Sequence, residues 1–340
     1  MVSIEEAEET NTIMAARSIE LLTFSSPELN AIKPDSFPTF YSPKQEIPGL
    51  AEGIRKIGGD TIEMALGYGS TFSGVGAKDS LMDILLVVRN PGLFYSRATE
   101  ANNLKLGTLN SPAFHTVWDL IKTNFHLGTI DLEGKPHGVK LGILDHHEFI
   151  RQARGGLPGV SNSKDYLYLA GRLHKAVLSP VIVDTTPREQ QEIDLAINQA
   201  RIHAAWLTLG LIPRYFEFDQ FAEKYTNLSY AADGRVEKKG KSKSLLNNNY
   251  PLYQEMLSPI LDRLIEFGVI EVVNENIFEK RKSLSEEEVR KWLKKCKHHS
   301  MIVNILENTW TMGIGVGIGY EYRKIKRAKQ LGWLPPFGNK

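Results

Sequence analysis

From Gly67 to Val88 the chain reads GYGSTFSGVGAKDSLMDILLVV, a glycine-serine turn, a loop of small residues and an apolar run that carries an aspartate. Gly69 has no Cβ, so its backbone can approach a phosphate closely, and the turn's N–H groups and the Ser70 hydroxyl can receive phosphate oxygens. Tyr68 and Thr71 flank the turn and join Gly69 and Ser70 as candidate nucleotide contacts. Asp83 follows Ser70 by thirteen residues, a spacing that puts it on the neighbouring strand and returns it to the same point. A carboxylate there can hold Mg²⁺, which neutralises charge on a phosphoryl group in transfer. A plain turn followed by a buried strand with a capping aspartate accounts for the same residues equally well.

Two familiar glycine motifs fail. A dinucleotide fingerprint from Gly67 needs a glycine where Phe72 stands, and a phosphate-binding loop from Gly69 needs a lysine where Val75 stands. What remains is the pattern of nucleotidyltransferases of the polymerase-beta type. Their usual pair of acids on alternate positions of one strand is incomplete, because Leu81 precedes Asp83 by two. Asp79 and Asp131 are candidates for a second metal carboxylate.

Arg172, His174 and Lys175 fall within four residues after the small pair Ala170-Gly171. They read either as the lining of a polyanion pocket or as the basic end of a helix, which its dipole favours. Lys140 lies on a short apolar strand, where a solvated edge lysine is the simpler reading. Asp145-His-His-Glu148 lacks the His-Glu-x-x-His spacing of a zinc helix, so Asp145 is read as a helix N-cap.

The elements that must position these residues follow from periodicity and breakers. Strands are predicted at Thr61–Tyr68, Leu81–Val88, Val139–Leu144 and Pro180–Val183, with Asn90-Pro91-Gly92 ending the second. Helices are predicted near 93–104, 112–125 and 165–175. An N-terminal helix over 4–22 and an arm punctuated by prolines 34, 38, 43 and 48 occupy residues 1–48. A nucleotidyltransferase domain is expected over 49–184. Pro187 at a helix start and long periodicity from Glu189 to Leu209 open a mainly helical second domain over 185–310, with a polar loop at 231–249. Residues 311–340 form a basic tail.

The chain has 340 residues, 42% of them apolar and 24% charged, which excludes wholesale disorder. Lys+Arg 41 against Asp+Glu 40 leaves a net charge of +1, so no overall field draws it to nucleic acid. Its one cysteine, Cys296, cannot form an internal disulfide. No apolar run reaches the ~18 residues of a spanning helix. The first ten residues hold four glutamates and no base, unlike a basic presequence, whereas Arg323 to Lys329 hold five bases. Peripheral docking of the tail on an anionic membrane surface is therefore expected, on the inner face of the cell membrane or, in a eukaryote, the matrix side of the mitochondrial inner membrane.

The block YGS…LMDILLVV…NP resembles the core motif of the mitochondrial-type phosphatidate cytidylyltransferases, the translocator assembly and maintenance family, which also has a single acid in this strand. Val139-Lys-Leu-Gly-Ile143 is similar to that family's lysine strand, Leu167-Tyr-Leu-Ala-Gly-Arg-Leu-His-Lys175 to its most specific segment, and Leu228-Ser-Tyr-Ala-Ala-Asp-Gly-Arg235 to a third. The ending Thr311-Met-Gly…Tyr320…Tyr322-Arg-Lys324 also agrees. Leu141 and Gly234 depart from the family pattern.

The resemblance implies an α/β (α+β) fold, with a polymerase-beta-type domain followed by a winged-helix-like one. It implies transfer of CMP from CTP to phosphatidic acid, giving CDP-diacylglycerol and pyrophosphate. Asp83 is then the Mg²⁺ ligand and a catalytic residue together with Ser70 and Lys140. Lys140, Arg172, His174 and Lys175 join Tyr68, Gly69, Ser70 and Thr71 as nucleotide contacts, and Arg235 and Lys324 meet the lipid phosphate. The alternatives are a nucleotidyltransferase for a soluble phosphate or an RNA end, and an inactive nucleotide-binding membrane adaptor. Oligomeric state stays open.

Overall fold

The computed structural model describes residues 32–36, 38–42, 47–74, 81–100, 124–154, 171–232 and 240–298. Apolar runs at the four predicted places form the strands β1 (Ile62–Tyr68), β2 (Met82–Val88), β4 (Lys135–Asp145) and β5 (Leu178–Val183), and an unpredicted strand, β3 (Asn124–Leu132), joins them. They make one mixed sheet in the order β3-β4-β2-β1-β5, with β2 and β4 parallel and the other pairs antiparallel. Every residue of β1 is buried, as in a strand covered on both faces.

Alternation along these strands divides the core. Met64, Leu66, Tyr68, Leu85, Val87 and Leu144 pack toward the C-terminal helices. Ala65, Ile84, Leu86, Val139, Leu141 and Ile143 pack on the other face. There α1 (Leu50–Gly58) covers them, with Leu50, Ile54 and Ile57 on its buried side, and so does Phe94 of α2 (Pro91–Glu100). A bulge between Ile62 and Met64 shifts the alternation and leaves Glu63 buried. The helix expected from 93 begins at Pro91, because the Asn90 side chain accepts from the Leu93 N–H at 2.9 Å and Pro91 suits a first turn.

After β4 come α3 (His146–Ala153), the long helix α4 (Pro187–Leu211), β6 (Tyr215–Glu217), α5 (Phe218–Ala232), α6 (Lys241–Asn248), α7 (Tyr250–Glu266), the hairpin β7 (Ile270–Asn274) and β8 (Ile277–Lys280), and a helix over 286–298, α8. α4 starts in a capping box between Thr186 and Glu189, with Pro187 in its first turn. The region expected to be mainly helical thus also holds a three-stranded sheet, β6-β8-β7.

Two expectations are corrected. Residues 124 and 125 belong to β3 rather than to a helix over 112–125, whose remainder lies outside the described residues. The polar stretch 231–249 contains α6, because Leu245 and Leu246 bury against its neighbours and anchor an otherwise polar helix. The helix over 4–22 and residues 165–170 also lie outside the described residues.

Part of the proline-rich arm straps α4 to the sheet. Tyr41 Oη donates to Asp194 Oδ1 at 2.6 Å, Arg201 Nη1 donates to the Phe40 carbonyl at 2.7 Å, and the Ser42 N–H donates to the Leu178 carbonyl of β5 at 3.1 Å. Cys296 is buried, which pushes its thiol up to about 12 and leaves it unreactive. Among the described residues no helix is long and apolar enough to cross a membrane.

Candidate functional site

The register of three adjacent strands sets one polar row. Tyr68 of β1 pairs with Asp83 of β2, and Asp83 pairs with Lys140 of β4. Neighbouring strands lie ~4.8 Å apart, so these three side chains stand side by side on one face. That face is the one turned toward the C-terminal helices, since Leu85 and Val87 share Asp83's parity. The row sits where β2 begins, so Asp83 and Lys140 are half-buried while Ile84 to Val88 are sealed.

β1 ends in a single helical turn, Gly69–Phe72. Gly69 has φ +82°, and a Cβ built on it would stand 2.6 Å from Asp83 Oδ2. Glycine is therefore required twice at this position, for the left-handed backbone and for the carboxylate pressed against it. Gly67 makes room in the same way, because the Phe72 ring folds back into the place where its Cβ would be. The turn is tied down on three sides. Thr71 Oγ1 donates to the Leu81 carbonyl at 3.2 Å, Ser73 Oγ donates to the Ser70 carbonyl at 3.1 Å, and Asn249 Nδ2 reaches the Ser73 carbonyl at 3.3 Å from the α6–α7 junction. Thr71 thus ties the turn to Leu81, the residue before the aspartate strand.

The basic trio after Gly171 is split by the fold. The helical turn Gly171–Leu173 ends within it, and the trio's side chains meet three different rings. Arg172 places its guanidinium carbon 5.9 Å from the Tyr68 ring centroid, over the end of the polar row. His174 is fully buried, its ring edge-on to Tyr225 of α5 at 5.1 Å between centroids, which makes it an anchor inside the core. Lys175 meets a different ring, with Nζ 4.5 Å from the Tyr230 centroid. Lys241, the first residue of α6, brings a second ammonium to 5.8 Å from the same ring. Neither Tyr230 nor Lys241 was singled out as a site residue from the sequence. The Leu228-Ser-Tyr230 run was the available signal for Tyr230, while Lys241 lay in the stretch read as a loop.

Asp83 is the carboxylate that this arrangement offers to a hard cation. Among the described residues no three acids, histidines or cysteines converge as a metal cluster. Asp131 lies near the end of β3, where its Oδ1 accepts from the Gly134 N–H of the following turn at 2.6 Å, and its register position is remote from Lys140. Asp79, Arg235 and Lys324 lie outside the described residues.

Asp145 caps α3 as expected, accepting from the Glu148 N–H at 2.9 Å. Its neighbour His146 has a use that spacing did not reveal. Its Nδ1 meets Glu63 Oε2 at 2.9 Å and its Nε2 meets Glu192 Oε2 at 3.1 Å, which joins β1 to α4. Burial opposes a charge on this ring, but the two carboxylates outweigh it and hold His146 above its ordinary value.

A family model described as "Phosphatidate cytidylyltransferase, mitochondrial" matches residues 51–288. Two curated proteins of that name are similar to this chain. The one from Saccharomyces cerevisiae is 26% identical over 270 residues, covering 76% of this chain and 65% of that protein. The one from Caenorhabditis elegans is 28% identical over 215 residues, covering 60% of this chain and 61% of that protein. The matched region thus spans a little under two thirds of the length of these relatives.

Proposed function

The chain belongs to the family of mitochondrial phosphatidate cytidylyltransferases, and we propose that it transfers CMP from CTP to phosphatidic acid, releasing pyrophosphate. The observation that carries this reading is the contact between the Gly69 turn and the Asp83 carboxylate, with Lys140 and Tyr68 beside it. In the reaction an oxygen of the acceptor phosphate forms a new bond to the α-phosphorus of CTP. The bond from that phosphorus to the α–β bridging oxygen breaks, and pyrophosphate leaves with the electron pair. No protein nucleophile is needed, so the residues act by positioning and by neutralising charge.

The Gly69 turn and Ser70 receive triphosphate oxygens, with Tyr68 and Thr71 shaping the cradle. Lys140 lies next to Asp83 in the sheet, and Arg172 approaches from the other side of Tyr68, so two bases flank the path of the transferred group. Mg²⁺ commonly takes one or two carboxylates and completes its shell with substrate oxygens and water, which suits a site whose carboxylate is Asp83. When bound it would supply charge neutralisation to the phosphates. In this reading the five-stranded sheet is a nucleotidyltransferase-type core, and the helices with β6-β8-β7 are the winged-helix-like partner domain.

A lipid acceptor asks for docking on a bilayer. The tail beyond Tyr320, with Arg323 to Lys329 followed by Trp333 and Phe337, has the composition for an anionic surface, where each base contributes about 1 kcal/mol. It lies outside the described residues.

The test is incubation of the protein with labelled CTP and liposomes that contain phosphatidic acid. Lipid-linked CMP is expected. CMP on a soluble acceptor alone, or CTP binding without turnover, would replace this reading by its alternatives. Removal of residues 320–340 is expected to weaken co-sedimentation with anionic vesicles at ~0.1 M salt, where screening is moderate, and to leave CTP binding intact.

A further inference from the structure

Lys175 and Lys241 come from different parts of the chain and end over one ring. Lys175 is fixed by its neighbour. His174 is fully buried against Tyr225, so the backbone at 174–175 is pinned to α5, and Lys175 reaches Tyr230 five residues further along that helix. Lys241 arrives from α6, whose N-cap is Gly240 at φ +81°. With Nζ atoms 4.5 and 5.8 Å from one centroid, the two ammonium groups lie within about 10 Å of each other, a Debye length at 0.1 M salt. Lys241 also stands in the first turn of its helix, the end where the dipole disfavours a cation.

Two like charges held around one ring, one of them at the wrong end of a helix, form a place suited to an anion. A phosphate monoester carries a charge of about −1.5 to −2 near neutral pH and three acceptor oxygens, and lysine binds phosphate as a point charge. The second substrate of the proposed reaction is such a monoester. Arg172, three residues before Lys175, points to Tyr68 and the Asp83 row instead. One short segment therefore has a base at the nucleotide cradle and another at the ring shared with α6.

We propose that Lys175 and Lys241, gathered over Tyr230, form the binding site for the phosphate monoester of the acceptor, distinct from the Tyr68–Arg172 pair at the nucleotide. This assignment rests on the cytidylyltransferase reading and removes Lys175 from the triphosphate contacts expected from the sequence. Phosphatidic acid and a soluble monoester such as glycerol 3-phosphate share the chemistry, and the experiment separates them.

Lys241→Ala and Lys175→Ala are compared with the unaltered protein in steady-state transfer from CTP to dihexanoyl phosphatidate, and in calorimetric binding of dihexanoyl phosphatidate, glycerol 3-phosphate and CTP. Each variant is expected to raise KM for phosphatidate about tenfold, the scale of one lost charge-assisted hydrogen bond, with KM and Kd for CTP within about twofold. Lys241→Arg is expected to restore most of the phosphatidate affinity, and a folded circular-dichroism spectrum confirms that the variants are intact. A parallel rise in KM for CTP would assign these lysines to the triphosphate and overturn the proposal, and so would unchanged KM values for both substrates. If the unaltered protein turns over glycerol 3-phosphate but not phosphatidate, the lipid reading falls. The same KM comparison on glycerol 3-phosphate then decides the lysine site.

Discussion

The sheet formed by β1, β2 and β4 has charged groups near both of its ends, and the two ends use them differently. At one end His146 stands between Glu63 and Glu192, Arg188 meets Glu192 at 3.1 Å, and Arg89 meets Asp184 at 3.6 Å across the neighbouring loop. Each carboxylate there has a base from another element or another turn, so the cluster closes on itself and ties β1 to α4. At the other end Asp83 is pressed against the glycine turn, with Lys140 beside it in the sheet and Arg172 over Tyr68. Here Lys140 and Arg172 stand around a half-open turn. The first cluster works as a fastening and, in the proposed function, the second as a receptor, although the residue types are nearly the same. Backbone shape separates them: a bulge buries Glu63 at one end, and a left-handed glycine opens the cradle at the other.

The largest effect expected from breaking this contrast is at Asp83. Asp83→Asn keeps the shape and removes the charge, and turnover should fall at least a hundredfold, the scale of losing one preorganised electrostatic group. Thermal unfolding of the purified variant should match the unaltered protein, because this residue is not a fastening. Near-normal activity of this variant in Mg²⁺ would mean that the receptor end has been misplaced.

Gly69→Ala attacks the backbone that shapes the cradle. A Cβ would stand 2.6 Å from Asp83 Oδ2 at φ +82°, so both stability and activity should suffer. The left-handed backbone alone costs a non-glycine residue about 1–2 kcal/mol, readable in chemical denaturation. Loss of activity with no change in CTP affinity would argue against the turn as the phosphate cradle.

Arg172→Lys should raise KM for CTP by about tenfold, because a point charge does not replace a planar fork stacked on Tyr68. An unchanged KM for CTP would remove Arg172 from the receptor. Ser70→Ala should cost about 1–3 kcal/mol in the same measurement, as for a lost hydrogen bond to a charged group.

The smallest effect is at the fastening, and its signature is pH dependence. His146 is held above its ordinary 6.5, so its contribution is full below pH ~6.5 and fades as pH rises past the elevated value. Glu192 is held below its ordinary 4.5, since hydrogen bonds to His146 and Arg188 outweigh its burial, so its contribution is lost only as pH falls through the lowered value. His146→Gln should therefore cost about 1–2 kcal/mol between pH 5 and 6 and less at pH 9. A cost that does not vary with pH would show that the ring acts by packing rather than by charge.

Much of the receptor was legible in the chain itself, for a local reason. The apolar runs of β1 and β2, the glycine-serine turn and Asp83 lie within a few dozen residues, where periodicity and turn chemistry dictate conformation. Asp145 as a cap and Pro187 as a helix start are likewise decided by contacts three or four residues away. Tertiary structure alone decided what depends on distant partners. Strand order and register placed Lys140 next to Asp83. The ends of Arg172 and Lys175 came to lie over different rings, Tyr68 and Tyr230, on either side of the buried His174 in sequence. The bulge at Glu63 and the start of α4 met at His146. Spacing along a chain specifies faces and turns. Which faces meet is set by packing the whole core, and in this protein that packing separates the His146 fastening from the proposed receptor at Asp83.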